Sequence, residues 1–193
     1  MRERLVRRGA VDYQVARSNA AWSDHRLRTL ATGATIAWLQ PETVMDPACG
    51  DASIVAAAFA VRRFRGAWLA DISVPNITNA GARLDVEVAA AKVMPIEEAI
   101  AVYPDCDVIV LTEILEHLED PDAVLRAAKS KATYLVASSP EMRPGRGDTN
   151  PEHLWQFDAA GYRQMLERAG WRIEQHTTLR FNSEYDFGIW VAR

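Results

Sequence analysis

The feature of this 193-residue chain that most limits its fold is the way it ends. Two strand-like runs, Trp171–Leu179 and Phe187–Ala192, are separated only by the short polar stretch Arg180–Asp186. Strands joined so closely must run antiparallel, because a parallel pair needs a long crossover. The middle of the chain has a different rhythm. Short runs rich in β-branched and apolar residues (Thr43–Met45, Trp68–Ile72, Leu84–Ala89, Asp107–Thr112 and Ala132–Ala137) alternate with longer helix-like stretches. That alternation predicts βαβ units and a parallel sheet covered by helices on both faces. The expectation is an α/β three-layer sandwich, its seven-stranded, mostly parallel sheet ending in an antiparallel hairpin.

The flanks are expected to be helical. Apolar residues recur at helical spacing from Val15 to Leu39 and Pro41 ends the run, so the first forty residues read as N-terminal helices. Phe157–Ala169 reads as an amphipathic helix with Phe157, Tyr162, Met165, Leu166 and Ala169 on one side and Gly170 as its stop. A single domain over residues 1–193 follows, with a helical cap (1–40) on a ligand-binding core (41–193).

Composition narrows the setting. Two cysteines, Cys49 and Cys106, are too few for a disulfide scaffold in a chain this long. No secretory signal is visible, and the apolar run Ile54–Val61 falls far short of the ~20 residues of a membrane span, so a cytoplasmic location off the membrane is expected. The net charge of −4 argues against a double-stranded nucleic-acid partner. Arginines do cluster, at Arg2, Arg4, Arg7 and Arg8, at Arg62, Arg63 and Arg65, and at Arg143 with Arg146. These are expected on solvated faces and helix ends.

The stretch Asp46-Pro47-Ala48-Cys49-Gly50-Asp51-Ala52 joins a strand to a helix that starts near Asp51 or Ser53, either of which can cap it. Small residues at 48, 50 and 52 admit a ligand close to the backbone, and Gly50 can take a positive φ. In an open α/β sheet, ligands bind at the carboxyl ends of the strands. Asp46 and Asp51 bracket the loop, which suits a cationic ligand better than a pyrophosphate. Asp71 ends the next strand about twenty residues on, where a carboxylate accepts hydrogen bonds from ribose hydroxyls.

With these residues the sequence resembles the class I S-adenosylmethionine-dependent methyltransferases, a Rossmann-like family. Asp46, Ala48, Gly50 and Ala52 match its first motif with two glycines replaced by alanine, and Asp71 matches the second. The run Leu111-Thr112-Glu113-Ile114-Leu115-Glu116-His117-Leu118-Glu119-Asp120-Pro121 resembles the end of the fourth strand in its small-molecule members, and Ser138-Ser139-Pro140, His153–Phe157 and Ala169-Gly170-Trp171 continue the likeness. The resemblance implies an enzyme with S-adenosylmethionine as cofactor, held by Asp46, Ala48, Cys49, Gly50, Asp71, Ile72 and Glu113, and a small-molecule acceptor. His117 and His153 are the candidate catalytic bases, since histidine titrates near working pH. His25 and His176 are expected to pack or face solvent, and Tyr13 or Trp22 to line the acceptor cleft. The family often carries an acidic residue after the third strand for the adenine amino group. Ala90-Ala91-Lys92-Val93-Met94 has none, which leaves backbone groups with Val93 and Met94 to hold adenine, or a weak cofactor site.

Three other readings compete. Asp46–Gly50 also resembles the first motif of adenine-N6 DNA methyltransferases, but Glu113-Ile114-Leu115-Glu116 stands where their Asn/Asp-Pro-Pro-aromatic tetrad would be. Glu113, Glu116, His117 and His153 could form the divalent-cation site that certain RNA 2′-O-methyltransferases and quinone-pathway O-methyltransferases are thought to use. The expectation is no metal: Glu113 meets cofactor, Glu116 caps or pairs, and His117 packs near substrate. A non-catalytic cofactor-binding protein is the third.

Overall fold

The computed structural model describes residues 1–5, 23–84, 89–180 and 185–193. Its elements in chain order are β1 (Arg2–Arg4), α1 (Ser23–Trp38), β2 (Thr43–Asp46), α2 (Ser53–Val61), β3 (Gly66–Asp71), α3 (Val74–Arg83), β4 (Ala89–Val93), α4 (Ile96–Val102), β5 (Cys106–Thr112), α5 (Pro121–Lys129), β6 (Ala132–Met142), β7 (Trp155–Phe157), α6 (Ala159–Arg168), β8 (Ile173–Arg180) and β9 (Tyr185–Ala192). A single 3-10 turn, Leu115–His117, lies between β5 and α5.

β2 pairs in parallel with β3 on one side and β5 on the other, β3 with β4, and β5 with β6. β9 then runs antiparallel to β6, and β8 antiparallel to β9. Seven strands therefore lie side by side in the order β8-β9-β6-β5-β2-β3-β4, mostly parallel and closed by the antiparallel hairpin, as the chain's rhythm predicts. The two remaining strands of the described residues were not foreseen. β7 joins β6 through Glu141 and Phe157, beyond the last β5 pair at Thr112 and Ser138, and β1 lies antiparallel to β7.

Period-two alternation explains both helical layers. In β5, Val108 and Val110 face one layer while Ile109 and Leu111 face the other; in β6 Val136 opposes Leu135 and Ala137, and in β9 Val191 opposes Trp190 and Ala192. The first layer packs Ile36 of α1, Ile54, Val55 and Ala58 of α2 and Ala80 of α3. The second packs Ile100 of α4, Leu125 of α5 and Tyr162, Met165 and Leu166 of α6. Because both faces are covered, the inner strands read as continuous apolar runs.

Three expectations shift. Arg2–Arg4 is a strand, not helix: Arg2 pairs with Asp122 and stands 4.2 Å over the Trp155 ring, and Arg4 pairs with Glu119 at 2.6 Å. Phe157 ends β7, and α6 starts after Asp158, which caps it by accepting the Gly161 N–H at 2.8 Å. Leu84 caps the end of α3, and β4 begins at Ala89, so the strand expected at Leu84–Ala89 lies about five residues later; residues 85–88 are outside the described set. Tyr13 and Trp22 also lie outside it.

α1 reaches the sheet's ligand end by packing tightly on α2. A Cβ placed on Gly33 would sit 2.7 Å from the Ala57 Cβ and 3.0 Å from the Ala58 backbone nitrogen. Alanine is favoured over glycine in a helix by ~1 kcal/mol, but here the backbone contact reverses the sign. Gly33→Ala is expected to destabilise the protein by about 1–3 kcal/mol, the range for overpacking, read as a lower urea midpoint. An unchanged or raised midpoint would show that the two helices do not meet here.

Candidate active site

The chain runs outward from β2 to β3 and β4, then returns to β5 on the opposite side of β2. Connections leaving adjacent strands in opposite directions open a crevice at their carboxyl ends. A cleft of about 380 Å³ lies there, lined among others by Ala48, Cys49, Gly50, Asp71, Ile72, Glu113 and His117. These are seven of the nine residues singled out in the sequence for cofactor binding or catalysis. Asp46 and His153 are not on its walls.

The loop after β2 owes its shape to Gly50, whose φ of 53° favours glycine and whose missing Cβ would meet nothing within 4 Å. The Asp71 carboxylate fastens this loop to the end of β3. It accepts the Gly50 N–H at 2.9 Å, the Ser73 N–H at 2.8 Å and the Asn76 side-chain amide at 3.3 Å. Cys49 lines the cleft, but burial first, then the nearby Asp46 and Asp71, pushes its thiol well up, so it is an inert wall residue.

The two carboxylates expected to bracket the loop are both turned inward. Asp51 is fully buried, accepts the Ser53 N–H at 3.1 Å at the start of α2, and pairs with Arg83 of α3 at 2.9 Å. Asp46 is 2% exposed beneath the loop, with a 3.4 Å hydrogen bond from the Ala48 N–H. Desolvation pushes its carboxyl up to about 8, against that hydrogen bond and with Asp71 adding to the rise.

At the other end, Glu113 follows β5 with φ 53°, a conformation unusual for a residue with a side chain. It is held there by its N–H donating to the Ser138 carbonyl at 2.9 Å and by Ser138 Oγ donating to its carboxylate at 2.8 Å. Arg28 of α1 stands 3.5 Å from the same carboxylate. Behind Glu113 the 3-10 turn buries Glu116, which is 1% exposed, and presents His117 to the cleft. Among the described residues neither Glu116 carboxylate oxygen has a hydrogen-bond partner, contrary to the expectation that it caps or pairs. Burial first, then the Glu113 charge, pushes its carboxyl up to about 8, with His153 opposing.

His153 lies one layer back, its ring edge-on to His117 at 4.7 Å, on the wall of a smaller cavity of about 170 Å³ with Asp148, Asn150 and Tyr185. Its Nδ1 bonds Asp148 at 2.5 Å and its Nε2 meets the Asn150 amide at 3.0 Å. Burial alone would lower its basicity, but the Asp148 hydrogen bond and the charges of Glu116, Asp148 and Glu113 raise it overall. His25 packs on Phe187 at 5.7 Å and lies 3.1 Å from Arg28, behind the cleft wall, while His176 stacks on Trp190 and bonds Glu141 at 2.7 Å; neither lines the cleft.

A profile of the methyltransferase domain matches residues 16–176. The chain belongs to that family. None of the curated proteins compared with this methyltransferase matches it. Its fold is shared with solved structures at low identity. The [4+2]-cyclase SpnF superposes with a TM-score of 0.70 and 14% identity, covering 95% of this chain and 84% of that one. Magnesium protoporphyrin IX methyltransferase (ChlM) from Synechocystis PCC 6803, with bound SAM, gives 0.64 and 17%, over 94% and 87%. The Burkholderia thailandensis 1,6-didemethyltoxoflavin-N1-methyltransferase, with bound 1,6-didemethyltoxoflavin and S-adenosylhomocysteine, gives 0.68 and 14%, over 89% and 83%. A cyclase lies as near as two methyltransferases, so these likenesses speak for the scaffold.

The sequence reading of the methyltransferase missed two wall residues that matter. Arg28 was hidden among helix arginines. Glu97 was overlooked because β4 was placed too early: Ala90–Val93 is the strand itself, and Met94-Pro95-Ile96-Glu97, which follows it, lines the cleft. Val93 is exposed at the strand's end and off the cleft wall. An acidic residue after this strand is therefore present.

Asp46 supplies a pH test. The folded protein keeps a proton on a group that an unfolded chain gives up near pH ~4. Its contribution to stability is therefore present below that pH and is lost as pH rises through about 8. Asp46→Asn is expected to gain stability relative to the wild type between about pH 5 and about pH 8, read from urea midpoints at both. Parallel midpoints would show that Asp46 is not held protonated.

Proposed function

We propose that the methyltransferase binds S-adenosylmethionine across the ends of β4, β3, β2 and β5, and transfers its methyl group to a small-molecule acceptor. The observation that carries this reading is the order of side chains along the cleft. Met94, Ile96 and Glu97 at the β4 end offer an apolar slot with one carboxylate, suited to a flat base bearing an exocyclic amine. Asp71 lines the β3 end, where its carboxylate would accept hydrogen bonds from ribose hydroxyls. The small residues Ala48 and Gly50 let the chain of the ligand cross β2, and Glu113 stands at β5. ChlM and the toxoflavin enzyme were crystallised with this cofactor or its demethylated product, which supports the same use here.

Bound there, the cofactor supplies a methyl group already activated by its sulfonium. The chain's own work is positioning and exclusion of water. Glu113 and His117 follow β5, three strands from β4 and Met94, and His117 lines the cleft, where it would take a proton from a hydroxyl or amine acceptor. His153, tied to Asp148, stands behind His117 and holds its ring edge-on.

A small molecule is favoured over RNA because the described arginines are largely committed. Arg2 pairs with Asp122, Arg4 with Glu119, Arg65 with Glu42 and Arg143 with Asp186, while Arg63 lies over Phe59. A phosphate footprint needs cations facing outward together. No helix among the described residues is long and apolar enough to cross a membrane.

Titration calorimetry with S-adenosylmethionine and S-adenosylhomocysteine tests the reading. Binding of both is expected, weakened by ~1–3 kcal/mol in Asp71→Ala because ligand hydroxyls lose an acceptor. No binding of either ligand at millimolar concentration would defeat it.

The buried Glu116 favours a second reading of the same site. Ligand atoms of Glu116, His117 and His153 lie within 4.8 Å of one another. His117 Nδ1 meets the Glu152 carbonyl at 3.3 Å and His153 Nδ1 bonds Asp148, so Nε2 is the atom that each ring would turn to a cation. Glu113 is drawn off by Ser138 and Arg28, so the set is three residues rather than four. We propose that a divalent cation can occupy this cluster and orient an acceptor hydroxyl, with Asn150 swinging off His153. After chelation, Mg²⁺, Mn²⁺ or Zn²⁺ is expected to raise the melting temperature with the logarithm of ion concentration above the dissociation constant, by mass action, and Glu116→Gln to abolish the rise. Melting and turnover both indifferent to all three ions would end this reading.

A further inference from the structure

The layer formed by α1 and α2 has no charged outer face. α1 turns Thr29, Thr32, Ile36 and Ala37 inward. Its opposite side carries Leu27, Leu30, Ala34 and Trp38, residues that share one face of a helix. All four are exposed, Leu27 at 56%, Leu30 at 59% and Trp38 at 69%. From Leu27 to Trp38 the one charged residue is Arg28, and it points into the cleft. α2 beside it reads Ser-Ile-Val-Ala-Ala-Ala-Phe-Ala-Val, with no charge at all, and leaves Ala60 and Val61 exposed. Gly33 seats the two helices against each other at Ala57, so the apolar surface is continuous. A helix that is apolar all round belongs in an interior, and a contiguous exposed apolar patch marks an interaction surface.

The size of the face suits a protein. α1 has 16 residues, which at 1.5 Å each gives ~24 Å, and two packed helices are ~20 Å wide. The footprint is then roughly 500 Å² in projection, the order of the ~800 Å² of accessible surface that each partner gives up in a stable complex.

The charges at its two ends suit a copy of itself. Arg26 is exposed in the first turn of α1, the positive end of the helix, where a cation is least favoured. The last turn has no basic residue. Beyond it stands Glu42, well exposed and meeting Arg65 at 3.5 Å, a surface pair of small worth. A second α1 laid in the reverse direction answers both ends at once, since each Arg26 then meets the negative end of the other helix, near the other Glu42. A lipid surface fits less well, because helices that lie on membranes carry lysines and arginines along their length.

We infer that this face docks a second copy of the chain, with α1 against α1, antiparallel about a two-fold axis between Leu30 and Ala34. Such an isologous contact needs a patch that complements itself. The stripe does so: Leu27 comes opposite the partner's Trp38, and Leu30 opposite the partner's Ala34, a large residue against a small one. α1 is then held between the partner on its outer side and the cleft on its inner side, where it carries Arg28.

Sedimentation of the full chain tests this. The wild type is expected at twice its 21.5 kDa in the micromolar range, and Leu30→Glu at the monomer mass with an unchanged far-ultraviolet circular dichroism spectrum. Direction is read with a short bis-maleimide on Leu27→Cys and Trp38→Cys chains, the wild type with its buried Cys49 and Cys106 serving as the blank. A mixture of the two is expected to cross-link, and Leu27→Cys alone not to, since its two copies would stand ~16 Å apart along the helices. If Leu30→Glu fails to fold, the cross-links on the exposed positions 27 and 38 decide the matter. A wild type that stays monomeric at high micromolar concentration overturns the inference, whether residues 6–22 of the same chain or nothing covers the face. So does a dimer that survives Leu30→Glu, or one in which Leu27→Cys links only to itself. A monomer that floats with phosphatidylserine vesicles and is released by Trp38→Ala would give the face to a membrane surface and overturn it too.

Discussion

A parallel strand covered on both faces can expose its backbone only at its ends, and the placement of β2 turns that constraint into a site. β2 has four residues, the last three of them buried, and it lies between a strand that follows it directly and one reached only after β4. At its amino end Asp107 holds the register, accepting the Glu42 N–H at 2.8 Å, the Thr43 N–H at 2.9 Å and the Thr43 hydroxyl at 3.0 Å. At its carboxyl end Asp71 ties down the Gly50 loop. Two aspartates on the neighbouring strands thus fix both ends of β2, and the cleft inherits its shape from them.

The site is unusual in how much ionisable material it buries with few partners. Asp46, Glu116 and His153 are each under 10% exposed, and the two carboxyls are pushed far above their ordinary range by desolvation. An isolated buried charge is expensive, so such groups stay neutral, find a counter-charge, or await a ligand that supplies one. Functional sites are where burial and neighbouring charges are arranged to shift acids and bases in this way. Here they lie on two sides of it, Asp46 beneath the loop and the Glu116 cluster at the far end, which matches a ligand that brings positive charge and an acceptor that gives up a proton.

Most of the wall was legible in the sequence because strand ends are local. Asp71 and Glu113 each close an apolar run, and Gly50 sits where a strand must turn into a helix. Two errors share one cause. Leu84–Ala89 reads as a strand by composition, but Leu84 is spent capping α3, so the boundary moved and took Glu97 out of view. Phe157 fits an amphipathic helix equally well as the end of a short strand, and only its pairing with Glu141 and Arg2 decides between them.

What the sequence determined by itself was the alternation of strands and helices, the antiparallel ending and the residues at the tips of the strands. These follow from side-chain period and connection length, which are properties of neighbours along the chain. Only the tertiary structure decided which of those residues share a space. It turned Asp46 and Asp51 inward, put His153 behind His117, and brought Arg28 from a separate helix to within 3.5 Å of Glu113. Contacts between residues 85 positions apart depend on how layers pack, and no local pattern records that.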